Sequence, residues 1–351
     1  MATVTLLEPT NMSALPTSGT LGGASWWTSY GQLMWTNNSY VHFLGQFIVD
    51  SLAGVQGPIS RALINGTDGS GAPNLDITGI SFSITFAYWN ALRDSGNVAE
   101  FVGNLMQGND TVVGTPLSDT LLGFNGNDTL IGGDRGDALN GGNGFDTVTY
   151  ASSPAAVNIN LAGDPGAGGH AAGDRIFEVE QLIGSNFNDI LGGGTVNSTV
   201  KGLGGNDFIS GGIGNNMLFG DAGNDILNGD AGIDVLTGGA GRDMLFGGLG
   251  ADRFDFNSIK ESKKGGSRDK IMDFERGPDH IDLKDIDAQT GGGNQAFKWI
   301  GKSKFHEKKG ELRYEDKGAT VIVQGDTNGD GKADFEIFVN IGSLAKGDFI
   351  L

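Results

Sequence analysis

Apolar residues recur at every ninth position through the middle of the chain. From Gly184 the sequence reads GSNFNDILG, GGTVNSTVK, GLGGNDFIS, GGIGNNMLF, GDAGNDILN, GDAGIDVLT, GGAGRDMLF and GGLGADRFD, without a gap to Asp255. A second block, LMQGNDTVV, GTPLSDTLL, GFNGNDTLI, GGDRGDALN and GGNGFDTVT, runs from Leu105 to Thr149. In these thirteen units the eighth place is always apolar, and the sixth is Asp in all but two, where Ser198 and Asn216 stand. Each unit predicts a six-residue turn followed by a three-residue strand with one inward side chain. A single unit cannot bury that side chain alone, so the units must stack. Two units make one turn of a right-handed parallel β-solenoid, a β-roll, with successive turns about 4.8 Å apart.

On either side the pattern changes. After Phe256, RDKIMDF and DHIDL predict short strands. ELRYE, ATVIVQG and ADFEIFV alternate with period two and predict longer strands joined by the DKG and DTNGDGK turns. They form a small antiparallel β unit able to cap the roll. Within the roll, residues 150–183 interrupt the register. VNINL reads as a strand and RIFEVEQLIG resumes the apolar rhythm. GDPGAGGHAAGD between them reads as a loop in which His170 is solvated. At the N-terminal side, Val41, Leu44, Ile48, Leu52 and Val55 predict an amphipathic helix following Asn38. Ile80–Phe86 predicts a strand, and Val98, Phe101, Val102 and Leu105 a second helix. The expected architecture is therefore mainly β. A small α+β module occupies residues 1–104, the roll 105–255, and the β domain 256–351.

Composition sharpens this. Glycine supplies 62 of 351 residues, against an average usage of roughly 7%, and it serves the turns. Cysteine is absent, which excludes disulfides, thiolate metal sites and a cysteine nucleophile. The net charge is −19, which argues against nucleic acid and anionic membranes as partners. Nineteen acidic and five basic residues lie in 105–255, so the excess is concentrated in the repeats. No stretch is apolar enough for a membrane-spanning helix. The first residues lack the basic start and uninterrupted apolar core expected of a cleaved secretory leader.

Stacking gives the sixth-place aspartates their chemistry. Residues 18 apart share an edge, so Asp207, Asp225 and Asp243 form one column, and Asp234 and Asp252 another. Carboxylates repeated at about 5 Å repel unless a cation lies between them. Carboxylate and carbonyl oxygens in flexible turns favour Ca2+ over Mg2+. The alternative is an array of Asx turns without metal.

GGLGADRFD and GGAGRDMLF match the nonapeptide G-G-x-G-x-D-x-U-x, and the chain resembles the RTX (repeats-in-toxin) family of calcium-binding β-rolls. The resemblance implies an ion between successive turns, held by sixth-place aspartates and turn carbonyls. Complete pairs are Asp128 with Asp146, Asp207 with Asp225, Asp225 with Asp243, and Asp234 with Asp252. Asp119, Asp137 and Asp189 sit in turns lacking Gly at the fourth place, and Asp110 opens the array.

From about residue 140 onward, the order of motifs also resembles the C-terminal domain of serralysin metalloproteases. In DTNGDGKAD, Asp326, Asn328, Asp330 and Asp334 alternate as oxygen donors, as in the first part of an EF-hand loop. Ile337 stands where that loop has its final Glu, and an Asx-rich hairpin is the alternative. Asp269, Asp273, Asp279 and Asp282 are candidates for a further ion. Asp348–Leu351 resembles the export signal of serralysin-type substrates of ABC (type I) exporters; it also reads as a last strand.

No catalytic signature appears. The histidines His42, His170, His280 and His306 do not form HExxH, and G-x-S-x-G is absent. The expectation is a secreted, extracellular calcium-binding protein, with residues 1–104 serving attachment, to polysaccharide or another surface ligand, or an effector role. The alternative is a secreted hydrolase with its active site in 1–104, where Trp26, Trp27, Trp35 and Trp89 read as core or as a stacking surface.

Overall fold

The computed structural model describes residues 108–351, apart from 115, 117 and 290–292. It also describes seven strands earlier in the chain: Thr3–Leu7, Ser18–Leu21, Ala24–Ser29, Gln32–Asn37, Tyr40–Phe43, Arg61–Asn65 and Asn74–Thr78. Thr3–Leu7 pairs antiparallel with Asn74–Thr78 and parallel with Thr111–Val113. The helix expected from Val41 is replaced at its start by the strand Tyr40–Phe43, which runs parallel to Arg61–Asn65. The β-branched and aromatic residues of that tetrapeptide suit an extended backbone, and this outweighs the helical spacing. The rest of that helix, the strand expected at Ile80–Phe86 and the helix over 98–105 lie outside the described residues.

The chain divides into two units: residues 1–148 with 170–179, and residues 149–169 with 180–351. Both contain the expected parallel rungs, three residues per strand, with consecutive nonapeptides alternating between two sheets. In the first unit Thr111–Val113 pairs with Thr129–Ile131, and Thr120–Leu122 pairs with Ala138–Asn140, each in a register of 18 residues. Val112, Leu121, Leu130, Leu139 and Val148 are the inward residues and are buried.

In the second unit, one sheet stacks Ile190–Gly192, Phe208–Ser210, Ile226–Asn228 and Met244–Phe246. The other stacks Gln181–Ile183, Thr199–Lys201, Met217–Phe219, Val235–Thr237 and Arg253–Asp255. Leu191, Val200, Ile209, Leu218, Leu227, Leu236, Leu245 and Phe254 fill the space between.

The segment 150–183 is not a side excursion. Asn158–Asn160 pairs in parallel with Ile190–Gly192, and Arg175–Phe177 extends the sheet of Ala138–Asn140. Ile159, Ile176 and Leu182 take the inward position. The segment therefore keeps the strand half of the repeat, while its glycines no longer follow the G-G-x-G-x-D spacing. Nor does the roll stop at Asp255. Asp269–Ile271 pairs with Met244–Phe246, and His280–Asp282 with Arg253–Asp255, both parallel. Beyond them Phe335–Val339 lies parallel to Asp269–Ile271, then Val321–Asp326 and Glu311–Asp316 follow as an antiparallel meander. Phe349–Ile350 forms a last strand against Ile281–Asp282. Phe349 packs on Trp299 with ring centroids 4.8 Å apart.

The turns show why glycine is used. Gly250 has φ +150, and a Cβ there would run into the Gly232 carbonyl one turn below. Where Gly is missing at the fourth place, Arg135 is driven to φ +69, at some cost in backbone strain. Among the described residues no helix is long and apolar enough to cross a membrane.

Candidate metal centre

The sixth-place aspartates form hydrogen-bonded ladders. The backbone N–H of one aspartate donates to Oδ1 of the next, one turn on. Asp207 donates to Asp225, Asp225 to Asp243 and Asp243 to Asp269, each at 2.8 Å. On the opposite edge Asp234 donates to Asp252 at 2.9 Å and Asp252 to Asp279 at 3.0 Å. In the first unit Asp110 donates to Asp128 at 2.8 Å and Asp128 to Asp146 at 2.7 Å. Asp119 donates to Asp137, and Asp137 to Asp174, at 2.8 Å. The columns expected from the 18-residue period are therefore built, and Asp119 and Asp137 form a ladder of the same kind with Asp174 despite their irregular turns.

Along most of the ladder only one oxygen of the carboxylate is used; Asp279 is an exception, its Oδ2 accepting the Glu275 N–H at 2.8 Å. Oδ2 of Asp128, Asp137, Asp207, Asp225, Asp234, Asp243, Asp252 and Asp269 is buried and has no hydrogen-bond partner. An unpartnered charged oxygen in the interior carries a desolvation cost of several kcal/mol, so these oxygens call for a cation. Burial, opposed by the backbone N–H and helped by neighbouring carboxylates, pushes Asp225 up to about 8 and Asp269 to about 8. The same causes, burial foremost, move Asp234 to about 7. Asp207 and Asp128 rise to about 6. Without a counterion Asp225 and Asp269 hold protons at neutral pH, and the others do so in mildly acidic solution.

Glycine at the first place completes the pocket. A Cβ on Gly220 would lie 2.5 Å from both Asp225 Oδ2 and the Gly238 carbonyl oxygen. A Cβ on Gly229 would lie 2.5 Å from Asp234 Oδ2 and would also press on the Gly247 carbonyl. The free carboxylate oxygen and a carbonyl oxygen of the next turn thus converge on one small space, which only glycine leaves open. Among the described residues no three His, Cys, Asp or Glu side chains cluster as metal ligands. The donor set is one of isolated carboxylates plus main-chain carbonyls, hard oxygens throughout, which fits calcium.

Other candidates are differently placed. Asp189 spends its oxygens on the N–H and hydroxyl of Ser185, at 2.5 and 2.8 Å, and on the Val157 N–H at 2.8 Å. In the hairpin loop, Asp326 accepts the N–H groups of Gly329 and Gly331, at 2.7 and 2.9 Å. Asp334 accepts the Thr327 N–H and hydroxyl and the Asn328 side-chain amide, all at 2.7 Å. Asn328 accepts the Asp330 N–H, and Asp330 the Lys332 N–H. Asp273 binds the N–H groups of Gly247 and Gly248, and Asp282 pairs with Lys284 at 2.9 Å.

Three ladder members lie outside complete nonapeptides: Asp174, which the sequence did not single out, and Asp269 and Asp279, expected only as part of a further ion site. Each is followed by a residue and then an inward apolar one, as in Asp174-Arg175-Ile176 and Asp269-Lys270-Ile271. That strand half of the repeat is the signal that finds them. A second ladder was also missed. Fifth-place asparagines bond along the turns, the N–H of Asn224 donating to Asn206 Oδ1 at 2.7 Å and that of Asn206 to Asn188 at 2.7 Å.

Residues 106–137 match the model of the RTX calcium-binding nonapeptide repeat, and residues 185–351 that of the peptidase M10 serralysin C terminal. The chain carries RTX calcium-binding repeats and a serralysin-type C-terminal domain. The second RTX block lies within the serralysin-type match.

Solved structures similar to it include two subunits of mannuronan C5-epimerase from Azotobacter vinelandii. The AlgE6R3 subunit is 25% identical, with 47% of this chain and 78% of that one covered, at TM-score 0.26. The AlgE6R2 subunit is 26% identical, with 49% and 92% covered, at TM-score 0.27. Extracellular lipase LipA from Serratia marcescens is 14% identical, with 70% and 40% covered, at TM-score 0.22. No curated protein matches the chain.

Proposed function

We propose that this is a secreted RTX protein whose roll folds on calcium outside the cell. The carrying observation is the row of buried Oδ2 atoms without partners, which at Asp128, Asp207, Asp225 and Asp234 face a carbonyl of the next turn across a first-place glycine. Bound calcium would supply the positive charge and the open coordination that these oxygens lack. Asp128 with Asp146, Asp207 with Asp225, Asp225 with Asp243, and Asp234 with Asp252 would hold ions. Asp243 with Asp269 extends one column further. Asp110 belongs to the column of Asp128 and Asp146, and Asp119 and Asp137 form a column of their own with Asp174. Asp189, Asp326, Asn328 and Asp334 serve turn geometry, since protein donors already claim their side-chain oxygens, and Asp330 accepts the Lys332 N–H through one oxygen.

With calcium scarce, the charge of residues 105–255 resists compaction, and the chain stays in the unfolded form that passage through an ABC-type exporter requires. Residues 1–104 act as the attachment or effector module, with polysaccharide or another surface ligand as its partner class. Circular dichroism of the full chain, with chelator and then with added calcium, tests the folding claim. Gain of β signal on adding calcium is the expected result, and superimposable spectra overturn it.

A further inference from the structure

One rung of the roll is built differently. In the column that contains Asp234 and Asp252, the two preceding sixth places hold Ser198 and Asn216. Both are buried. Asn216 keeps the ladder: its N–H donates to Asp234 Oδ1 at 2.7 Å, and its Oδ1 accepts the Ser198 N–H at 2.9 Å. Its second side-chain atom is a donor instead of a bare oxygen. Asn216 Nδ2 lies at the place that Oδ2 takes in the aspartate turns. A Cβ on Gly211 would be 2.8 Å from Nδ2 and 2.6 Å from the Gly229 carbonyl, as a Cβ on Gly220 would meet Asp225 Oδ2 and the Gly238 carbonyl. From there Nδ2 donates to the Gly214 carbonyl at 3.1 Å.

The Ser198 hydroxyl stands in the pocket below, where a Cβ on Gly193 would be 2.6 Å from it, and it donates to Asn216 Oδ1 at 2.9 Å. Neither side chain leaves a buried polar atom without a partner. Asp207, Asp225 and Asp243 on the other edge differ: there each turn has one oxygen unclaimed, whereas here each buried side-chain nitrogen and oxygen has a partner within the protein.

We propose that Asn216 stands in for a calcium ion, so that the rung of Ser198 and Asn216 closes without metal and leaves the two edges of the roll with unequal ion numbers. The amide N–H occupies the position where a cation would meet the carboxylate, and it satisfies a turn carbonyl that an ion would otherwise attract. No charge is buried there, so no counterion is required. The inference rests on the calcium reading above and adds to it which pockets stay empty and why.

The test is an ion count on the full chain, by native mass spectrometry and calorimetry with calcium alone as titrant. Asn216→Asp restores an oxygen opposite the Gly229 carbonyl and beside Asp234, and should raise the count by one. Asn216→Ala removes the stand-in without adding a ligand, and should leave the count unchanged. Asp225→Ala, in the same assay, should lower it. If Asn216→Asp fails to fold, Asn216→Ala still decides: a lower count means that the rung held an ion, and the inference falls. An unchanged count for a folded Asn216→Asp, beside a lowered count for Asp225→Ala, also overturns it. A wild-type chain that binds no calcium instead brings down the calcium reading on which it rests.

Discussion

The Asp225 turn and the hairpin loop at Asp326–Asp334 look alike as text. GDAGND and DTNGDGKAD are both short, rich in glycine and studded with aspartate. In the hairpin the chain folds back on itself within nine residues, and its own N–H and hydroxyl groups reach Asp326 and Asp334. In the roll the chain passes Asp225 once and returns only a full turn later. It brings a single N–H for Oδ1 and a carbonyl instead of a donor towards Oδ2. The difference lies in what the returning backbone presents, not in the number of acidic residues. The tight loop saturates the carboxylates of Asp326 and Asp334, whereas the parallel stack leaves one oxygen of Asp207, Asp225 and Asp243 open.

The largest effect that can break this comparison is removal of calcium. If each pocket binds with a Kd near ~10⁻⁴ M, ~1 mM calcium contributes roughly 1.4 kcal/mol per ion. Several pockets then supply an amount comparable to a domain's whole stability of about 5–15 kcal/mol. Hydrogen exchange in chelator should show the roll strands unprotected. Equal protection with and without chelator would place the roll beside the hairpin as a metal-free structure.

Next in size is Asp225→Ala, set against Asp334→Ala. Asp225 is bonded to both Asp207 and Asp243, and it should cost calcium binding in both pockets. Asp334→Ala should leave the ion number intact and loosen only the loop, by about 1–3 kcal/mol for stranded donors. Calorimetry with thermal melts separates the two, and equal loss of ions in both variants would erase the distinction.

The acid response of the metal-free chain should be intermediate in size. Folded pKa values of the ladder aspartates are raised, to about 8 for Asp225 and about 6 for Asp207 and Asp252. Because they lie above the ordinary value of 3.8, the folded roll binds more protons than the unfolded chain. In chelator, stability is therefore fully present below about 4 and is lost as pH rises towards 8. Acidification across that window should increase β signal without metal, and a flat or falling signal would contradict the burial of these groups.

Smallest is Gly220→Ala. Its Cβ would fill the space between Asp225 Oδ2 and the Gly238 carbonyl, so affinity of one pocket should drop while the other ions remain. Gly329→Ala, at φ +83 in the hairpin, should cost about 1 kcal/mol of backbone strain and no calcium.

Much of this was legible in the sequence because a nine-residue period fixes three things together. It sets the strand, its inward residue and the edge on which the sixth place stands. Val112 through Phe254 and the column of Asp207, Asp225 and Asp243 follow from that alone. Two things did not follow. Segment 150–183 and the turns at Asp269 and Asp279 keep D-x-apolar but not the full G-G-x-G-x-D spacing of their glycines, so register is carried by Ile176, Ile271 and Ile281 with no complete turn signature to announce it. The hairpin differs in the opposite sense: alternate oxygen donors are visible in DTNGDGKAD, but whether local N–H groups reach them depends on the bend at Gly329 and Gly331, both at positive φ. Sequence spacing locates carboxylates; only the path of the backbone tells which of their oxygens stay open.

Anomalous diffraction from crystals of the full chain grown in calcium addresses the central claim most directly. The account predicts peaks between successive turns at Asp207, Asp225 and Asp243 and beside Asp234 and Asp252, each next to a first-place glycine, with none in the hairpin loop. Peaks confined to Asp326–Asp334, or none along the aspartate columns, would contradict it.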